Sequence, residues 1–138
     1  MDITKIYGIS FDEAIPSGSE KRIFDAEGMK NDYAVNLDFA LNRGKNDFDN
    51  AYPFGAMRLC NVSIADGKTT ITYEGEPTFS RTGSNGNVMV EIPKFYSKRE
   101  KNGSVEKWMI SGTQHEGFQL EPCFMRGSKE LSHVYVGV

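Results

Sequence analysis

A chain of 138 residues is the length of one domain at roughly 100–200 residues each, and a net charge of −3 lacks the basic surplus of a nucleic-acid binder. Hydrophobic residues make up 38%, with only 14 Gly and 5 Pro, which excludes low-complexity disorder and fits a globular chain with one core. Met1-Asp2-Ile3-Thr4-Lys5-Ile6 does not read as a secretion signal, and no apolar run approaches the ~20 residues of a membrane span.

The aromatic share is 12%, spread among short apolar runs that Gly, Asn, Asp and Ser interrupt. That pattern predicts an antiparallel, β-rich α+β fold with one short helix. Ile3, Ile6 and Ile9 mark a first strand, ended by Asp12 and the turn Pro16-Ser17-Gly18-Ser19. Glu20 to Phe24 reads as a second short strand. Residues 33–42 are the helix candidate, with Gly44 as its stop. Tyr52-Pro53-Phe54-Gly55 predicts an ordered loop pinned by rings. Met57 to Ile64 reads as a strand, or as a short helix and strand, and Thr69 to Tyr73 as the strand returning from Asp66-Gly67, where a reversing turn needs positive φ.

Thr82 to Asn87 is a further turn, leading into Val88-Met89-Val90-Glu91-Ile92 before Pro93. This run is near-continuously apolar, so it is expected to be among the most buried. Asn102-Gly103 turns the chain into Val105 to Ile110, and the Trp108 strand is expected beside the Val88–Ile92 run. Phe118 and Leu120 are expected to face inward from the loop Gly112–Pro122, and Val134-Tyr135-Val136 forms a last strand. With no repeat or linker, residues 1–138 read as a single domain. The halt on Gly137-Val138 directly after an apolar strand is the pattern of the N-terminal part of a longer protein. In that case residues 134–138 are expected on an open sheet edge or against a second copy.

Little in the chain carries chemistry by motif. Asp47, Asp49 and Asn50 alternate oxygens as a calcium loop does, but the closing Glu and the turn Gly are missing. Turn chemistry, with each side chain bonding nearby backbone N–H groups, explains them better. Cys60 and Cys123 read as buried thiols, and neither His115 nor His133 sits in a metal or nucleophile motif. Glu74 and Glu76, like Asp47 and Asp49, are the acids that a polysaccharide hydrolase would need, yet no pair stands out from ordinary surface acids. Lys94, Lys98, Arg99 and Lys101 beside Phe95 and Tyr96 read as a solvated strand face rather than a nucleic-acid track. The residues alone therefore point to a module for binding or assembly, with no catalysis and no cofactor.

Several blocks resemble phage and prophage structural proteins of the tail-fibre-like kind. They are Phe48-Asp49-Asn50-Ala51-Tyr52-Pro53, Met57-Arg58-Leu59-Cys60-Asn61 and Gly83 through Tyr96, followed in order by Trp108-Met109-Ile110-Ser111, Gly117 through Phe124 and Val134-Tyr135-Val136-Gly137. The opening Tyr7-Gly8-Ile9-Ser10-Phe11-Asp12 and Asp25 through Met29 are similar to the start of those proteins. This group is similar to the C-type-lectin-like proteins that phages and bacteria use to display binding surfaces. The resemblance implies such a fold, or a partial version of it, in a virion protein made in the bacterial cytoplasm. It departs at Glu121 and Cys123, so no metal or ligand role carries over for that loop.

The implied function is host-surface recognition or attachment from a tail fibre or baseplate. The partners would be a bacterial surface receptor, such as a glycan, and other virion proteins, in a homo-oligomer with no nucleic acid and no membrane insertion. Tyr52, Tyr73 and Trp108 are the candidate binding residues, because their rings offer a flat apolar face and a polar edge. The alternatives are a purely structural virion protein and a hydrolase of surface polysaccharide.

Overall fold

The computed structural model describes residues 1–15, 17–31, 37–38, 43–44 and 46–138. Its strands in chain order are β1 (Ile6–Asp12), β2 (Lys21–Phe24), β3 (Leu37–Asp38), β4 (Arg43–Gly44), β5 (Arg58–Ala65), β6 (Lys68–Tyr73) and β7 (Asn87–Pro93). They continue with β8 (Tyr96–Asn102), β9 (Val105–Ser111), β10 (Gln119–Leu120), β11 (Met125–Arg126), β12 (Lys129–Glu130) and β13 (His133–Gly137). All pairings are antiparallel, as the strand patterning predicts.

No α-helix occurs among the described residues; short 3-10 turns stand at Asp47–Asn50, Phe54–Ala56 and Pro122–Phe124. The helix expected over 33–42 falls mostly outside the described residues. Where it is described, Leu37–Asp38 pairs as strand with Arg43–Gly44. No described helix is long and apolar enough to cross a membrane.

The chain divides into two compact units, each assembled from two stretches of sequence. The first comprises Met1–Gly55 and Phe95–Pro122. It is built on a five-stranded sheet in the order β10-β8-β9-β1-β2. β1 and β9 pair along their full length, from Ile6 opposite Ser111 to Asp12 opposite Val105. β8 and β9 form a hairpin from Tyr96 opposite Ser111 to Asn102 opposite Val105. One sheet face carries Tyr7 and Ile110 against Ala26 and Ala51, with Met29, Phe48 and Phe54 packed around them. Met109 on β9 and Phe118 in the following loop are also buried, and Leu120 is half-buried.

The second unit comprises Ala56–Lys94 and Cys123–Val138 and holds a four-stranded sheet in the order β13-β7-β5-β6. Asp66 (φ 52°) and Gly67 (φ 71°) join β5 to β6 as a two-residue loop. Both residues are left-handed, which suits the right-handed twist of the strands on either side. Asn61, wholly buried, donates from its amide to the Ser80 carbonyl at 2.8 Å and accepts the Ser80 N–H at 2.7 Å. This fixes the loop before the turn at Thr82–Asn87.

Two expectations fail here. The Val88–Ile92 run does not pair with the Trp108 strand: Pro93 ends β7, whose partners are β5 and β13, and the partner of β9 across the turn is β8. Nor is that run buried through its apolar residues, which places it outside the most buried stretches expected. Val88, Met89, Val90 and Ile92 are half-buried, and the buried residue among them is Glu91. Residues 134–137 do lie on a sheet edge, as β13.

Candidate functional site

In the first unit, register decides what meets on the sheet face. Tyr7 stands opposite Ile110 and Ile9 opposite Trp108. Because side chains alternate along a strand, these four share one face. β2 adds Arg22 opposite Ile9.

The loop from Asn46 to Phe54 covers half of that face. Asn46 Oδ1 accepts the Phe48 N–H at 2.8 Å, and Asp49 Oδ2 accepts the Asn46 N–H at 2.9 Å, a reciprocal cap on the 3-10 turn. Asp47 Oδ2 accepts the Lys30 N–H at 2.7 Å. The capped loop sets Phe48 and Phe54 edge to face, with centroids 5.0 Å apart, and Phe54 edge-on to Tyr7 at 6.1 Å. The Arg22 guanidinium lies 4.9 Å above the Phe48 ring and donates to the Met29 carbonyl.

The other half of the face stays open, with Ile9 46% and Trp108 48% exposed. Between loop and open floor lies a cleft of about 620 Å³. Tyr7, Ile9, Phe48, Phe54, Trp108 and Ile110 give it an apolar lining, and Arg22, Asn31, Asn46 and Asp49 supply polar groups. Concavity, aromatic lining and a few polar groups are the usual make-up of a small-ligand site.

Trp108 is held from behind. Its indole Nε1 donates to Glu106 Oε1 at 3.1 Å, and the Arg99 guanidinium lies 4.8 Å from its ring centroid. Arg99 also pairs with Glu106 through Nε and a terminal nitrogen. Phe11 leans on the indole at 6.4 Å. Glu106 is 2% exposed. A side-chain hydrogen bond with Glu13, then those of Trp108 and Arg99, hold its carboxyl below the usual range although burial opposes them.

The second unit centres on Glu91, which is 4% exposed. Its Oε2 accepts the Tyr73 hydroxyl at 2.5 Å and the Tyr135 hydroxyl at 2.8 Å, and His133 Nε2 stands 3.6 Å from Oε1. Burial pushes this carboxyl up, but the two tyrosines, with His133 and Arg58, outweigh it and hold it below the usual range. Burial and then the Glu91 bond push the Tyr135 phenol far above its ordinary value. The Arg58 guanidinium sits 3.5 Å above the Tyr73 ring. Among the described residues no buried side-chain nitrogen or oxygen lacks a partner.

Of the three candidate binding rings, only Trp108 lines the cleft. Tyr52 is half-buried and lies against Gly112 so closely that a Cβ there would meet its Cδ1 at 2.6 Å. Tyr73 is half-buried and tied to Glu91 and Arg58. Neither is the exposed ring that its sequence context predicts. Asp49 bonds the backbone N–H of Asn46 in its own turn, as turn chemistry requires; Asp47 instead accepts the N–H of Lys30, seventeen residues earlier, and Asn50 ends the turn. Among the described residues no group of three or more His, Cys, Asp or Glu is placed to hold a metal ion.

Glu74 pairs with Arg81, and Glu76 accepts the Tyr73 N–H. Lys94, Lys98, Arg99 and Lys101 each meet a carboxylate: Glu130, Glu100, Glu106 and Glu13. Cys60 is a buried thiol whose Sγ donates to the Met89 carbonyl at 3.5 Å, whereas Cys123 is exposed, against expectation. His115 Nε2 lies 2.9 Å from the Thr4 carbonyl and 3.0 Å from Ser111 Oγ. Sequence reasoning missed Ile9, Arg22, Glu91 and Glu106. The legible signal for the last two was an acid set inside an apolar strand run. Comparison of the chain with protein-family models, curated proteins and solved structures finds no match.

Proposed function

We propose that the chain is a non-catalytic binding module that engages a bacterial surface glycan through the Trp108 cleft. The observation that carries the reading is the half-exposed Trp108 on the floor of a concave, ring-lined cleft. The apolar face of a pyranose matches an indole in size and flatness, and Arg22, Asn31, Asn46 and Asp49 offer polar groups for sugar hydroxyls. With the sequence resemblance, this supports a phage-derived virion module, in a tail fibre or near a baseplate, of C-type-lectin-like architecture. The capped loop suits that role, since it presents the binding wall without itself having to order on contact.

The reading is tested by probing an array of bacterial capsule and cell-wall oligosaccharides with the purified chain, alongside an assay of phage adsorption in its presence. Selective binding and blocked adsorption are expected. A chain that binds no oligosaccharide and leaves adsorption unchanged refutes it.

Assembly without receptor contact is the second reading. It is favoured by β13, an edge strand that exposes 52% of Val136 and 36% of Tyr135 and bears no Lys or Pro to deter pairing. Light scattering after size-exclusion chromatography decides it: a dimer that reverts to monomer when Val136 becomes Lys supports pairing through this edge. The hydrolase alternative predicts release of reducing ends from capsule extracts, and its candidate acids are each engaged: Asp47 with the Lys30 N–H, Asp49 with the Asn46 N–H, Glu76 with the Tyr73 N–H and Glu74 with Arg81.

A further inference from the structure

We infer that Glu106 is a positioning residue for the ligand cleft: its carboxylate fixes the orientation of Trp108, directly through the indole N–H and indirectly through Arg99. The inference rests on the reading of the Trp108 cleft as a ligand site. Its geometry is a closed triangle. Glu106 Oε1 accepts the Trp108 Nε1–H at 3.1 Å, Glu106 pairs with Arg99, and Arg99 lies 4.8 Å from the Trp108 ring centroid.

Register places all three on one sheet face. Arg99 stands opposite Trp108 across β8 and β9, and Glu106 precedes Trp108 by two residues on the same strand. A half-exposed indole on an open floor would otherwise sample several rotamers, and a ligand would have to select one. The triangle removes that freedom before the ligand arrives. Glu106 is itself buried and does not line the cleft, so it acts through Trp108.

The charged groups that face Glu106 are known from each neighbouring strand. β8 contributes Arg99 and Lys101, the latter opposite Glu106 in the register. Glu13, just beyond β1, faces Glu106 and receives Lys101 Nζ at 2.9 Å. Arg99, Lys101 and Glu13 thus decide when Glu106 gains a proton. Once protonated, it no longer attracts Arg99 or accepts the indole N–H as strongly, so the hold on Trp108 weakens.

Trp108 is the only tryptophan in the chain, so one indole signal reports the triangle without any ligand. The test follows the indole N–H resonance of the wild-type protein from pH 7 down to about 2.5, below the ordinary Glu value of about 4.3. The signal is expected to move with a midpoint below that ordinary value. It is expected to stay still in Glu106→Gln, which keeps an acceptor oxygen but does not titrate. A wild-type signal that does not respond to pH, or one that moves identically in Glu106→Gln, overturns the inference.

Binding to the capsule and cell-wall oligosaccharides of the array supplies the second readout. Glu106→Leu is expected to weaken it roughly tenfold and Glu106→Gln to restore it to within roughly threefold. Should Glu106→Leu fail to fold, the wild-type titration and Glu106→Gln still decide. If Glu106→Leu binds like the wild type while Trp108→Ala does not, the positioning role falls and the cleft survives. If Trp108→Ala binds like the wild type, the cleft falls, and this role with it.

Discussion

The five-stranded and the four-stranded sheet each bury one glutamate within a strand, and the two carboxylates are put to different use. On β7, Glu91 is met by two phenols, Tyr73 and Tyr135, with His133 at 3.6 Å. Its partners come from strands on either side, so the bonds tie β6, β7 and β13 together. On β9, Glu106 is met by Arg99 and by the indole of Trp108, a ring that stays half-exposed above a cleft. A buried carboxylate surrounded by its own sheet knits the fold. One whose partner reaches an open floor holds a surface in place. The same residue type at equal burial therefore says little until its partners and their exposure are known.

Removing the Glu91 carboxylate should have the largest effect on stability. Glu91→Ala leaves two phenols without their acceptor, and a loss of about 3 kcal/mol in urea unfolding is expected. The glycan binding proposed for the Trp108 cleft should be unchanged. A loss under about 1 kcal/mol would erase the contrast drawn between the two sheets.

Phe48→Ala comes next. It removes the ring that meets Tyr7, Phe54 and Arg22, and about 2 kcal/mol is expected because Phe48 is only half-buried. Here stability and glycan affinity should fall together, since the loop wall loses its anchor. Trp108→Ala should separate the two readouts. About 1 kcal/mol of stability is expected to go with a half-exposed ring, against a roughly 30-fold loss of glycan affinity.

The smallest effect belongs to pH. The Glu91 carboxyl lies below its ordinary value in the folded chain. The stability it confers is therefore present above the unfolded value of about 4.3 and is lost as pH falls through the folded one. The Tyr135 phenol is raised, so its share is present below about pH 10 and is lost as pH rises through the folded value. Urea unfolding across this range should show a plateau with both limbs. Tyr135→Phe should flatten the alkaline limb at a cost of about 1 kcal/mol in the plateau. An alkaline limb of unchanged steepness in that variant would remove Tyr135 from the network.

What sequence reading recovered follows the range of the forces involved. The Asp66-Gly67 turn, the strands on either side of it and the self-capped turn at Asp47–Asn50 depend on neighbours a few residues away, and all are legible. The pairing of β1 with β9 joins residues about a hundred positions apart, and no local pattern announces it. Because that pairing sets Ile9 beside Trp108, the cleft floor could not be read in advance.

Tyr52 and Tyr73 failed as exposed rings for the same reason: Gly112 and Glu91, which hold them, are distant in sequence. Val88 to Ile92 misled in another way. Its apolar side chains are only half-buried, whereas the buried residue among them is a carboxylate whose partners lie on other strands. Trp108 was identified because an indole needs no distant partner to offer a stacking face.

The measurement that bears most directly on the Trp108 cleft is a fluorescence titration of the wild-type chain with oligosaccharides selected on the glycan array. As the sole tryptophan, Trp108 reports contact at the cleft and nowhere else. The account predicts a saturable change in its emission whose midpoint matches the affinity measured by calorimetry. Calorimetric binding with an unaltered Trp108 signal would place the ligand elsewhere on the molecule and contradict it.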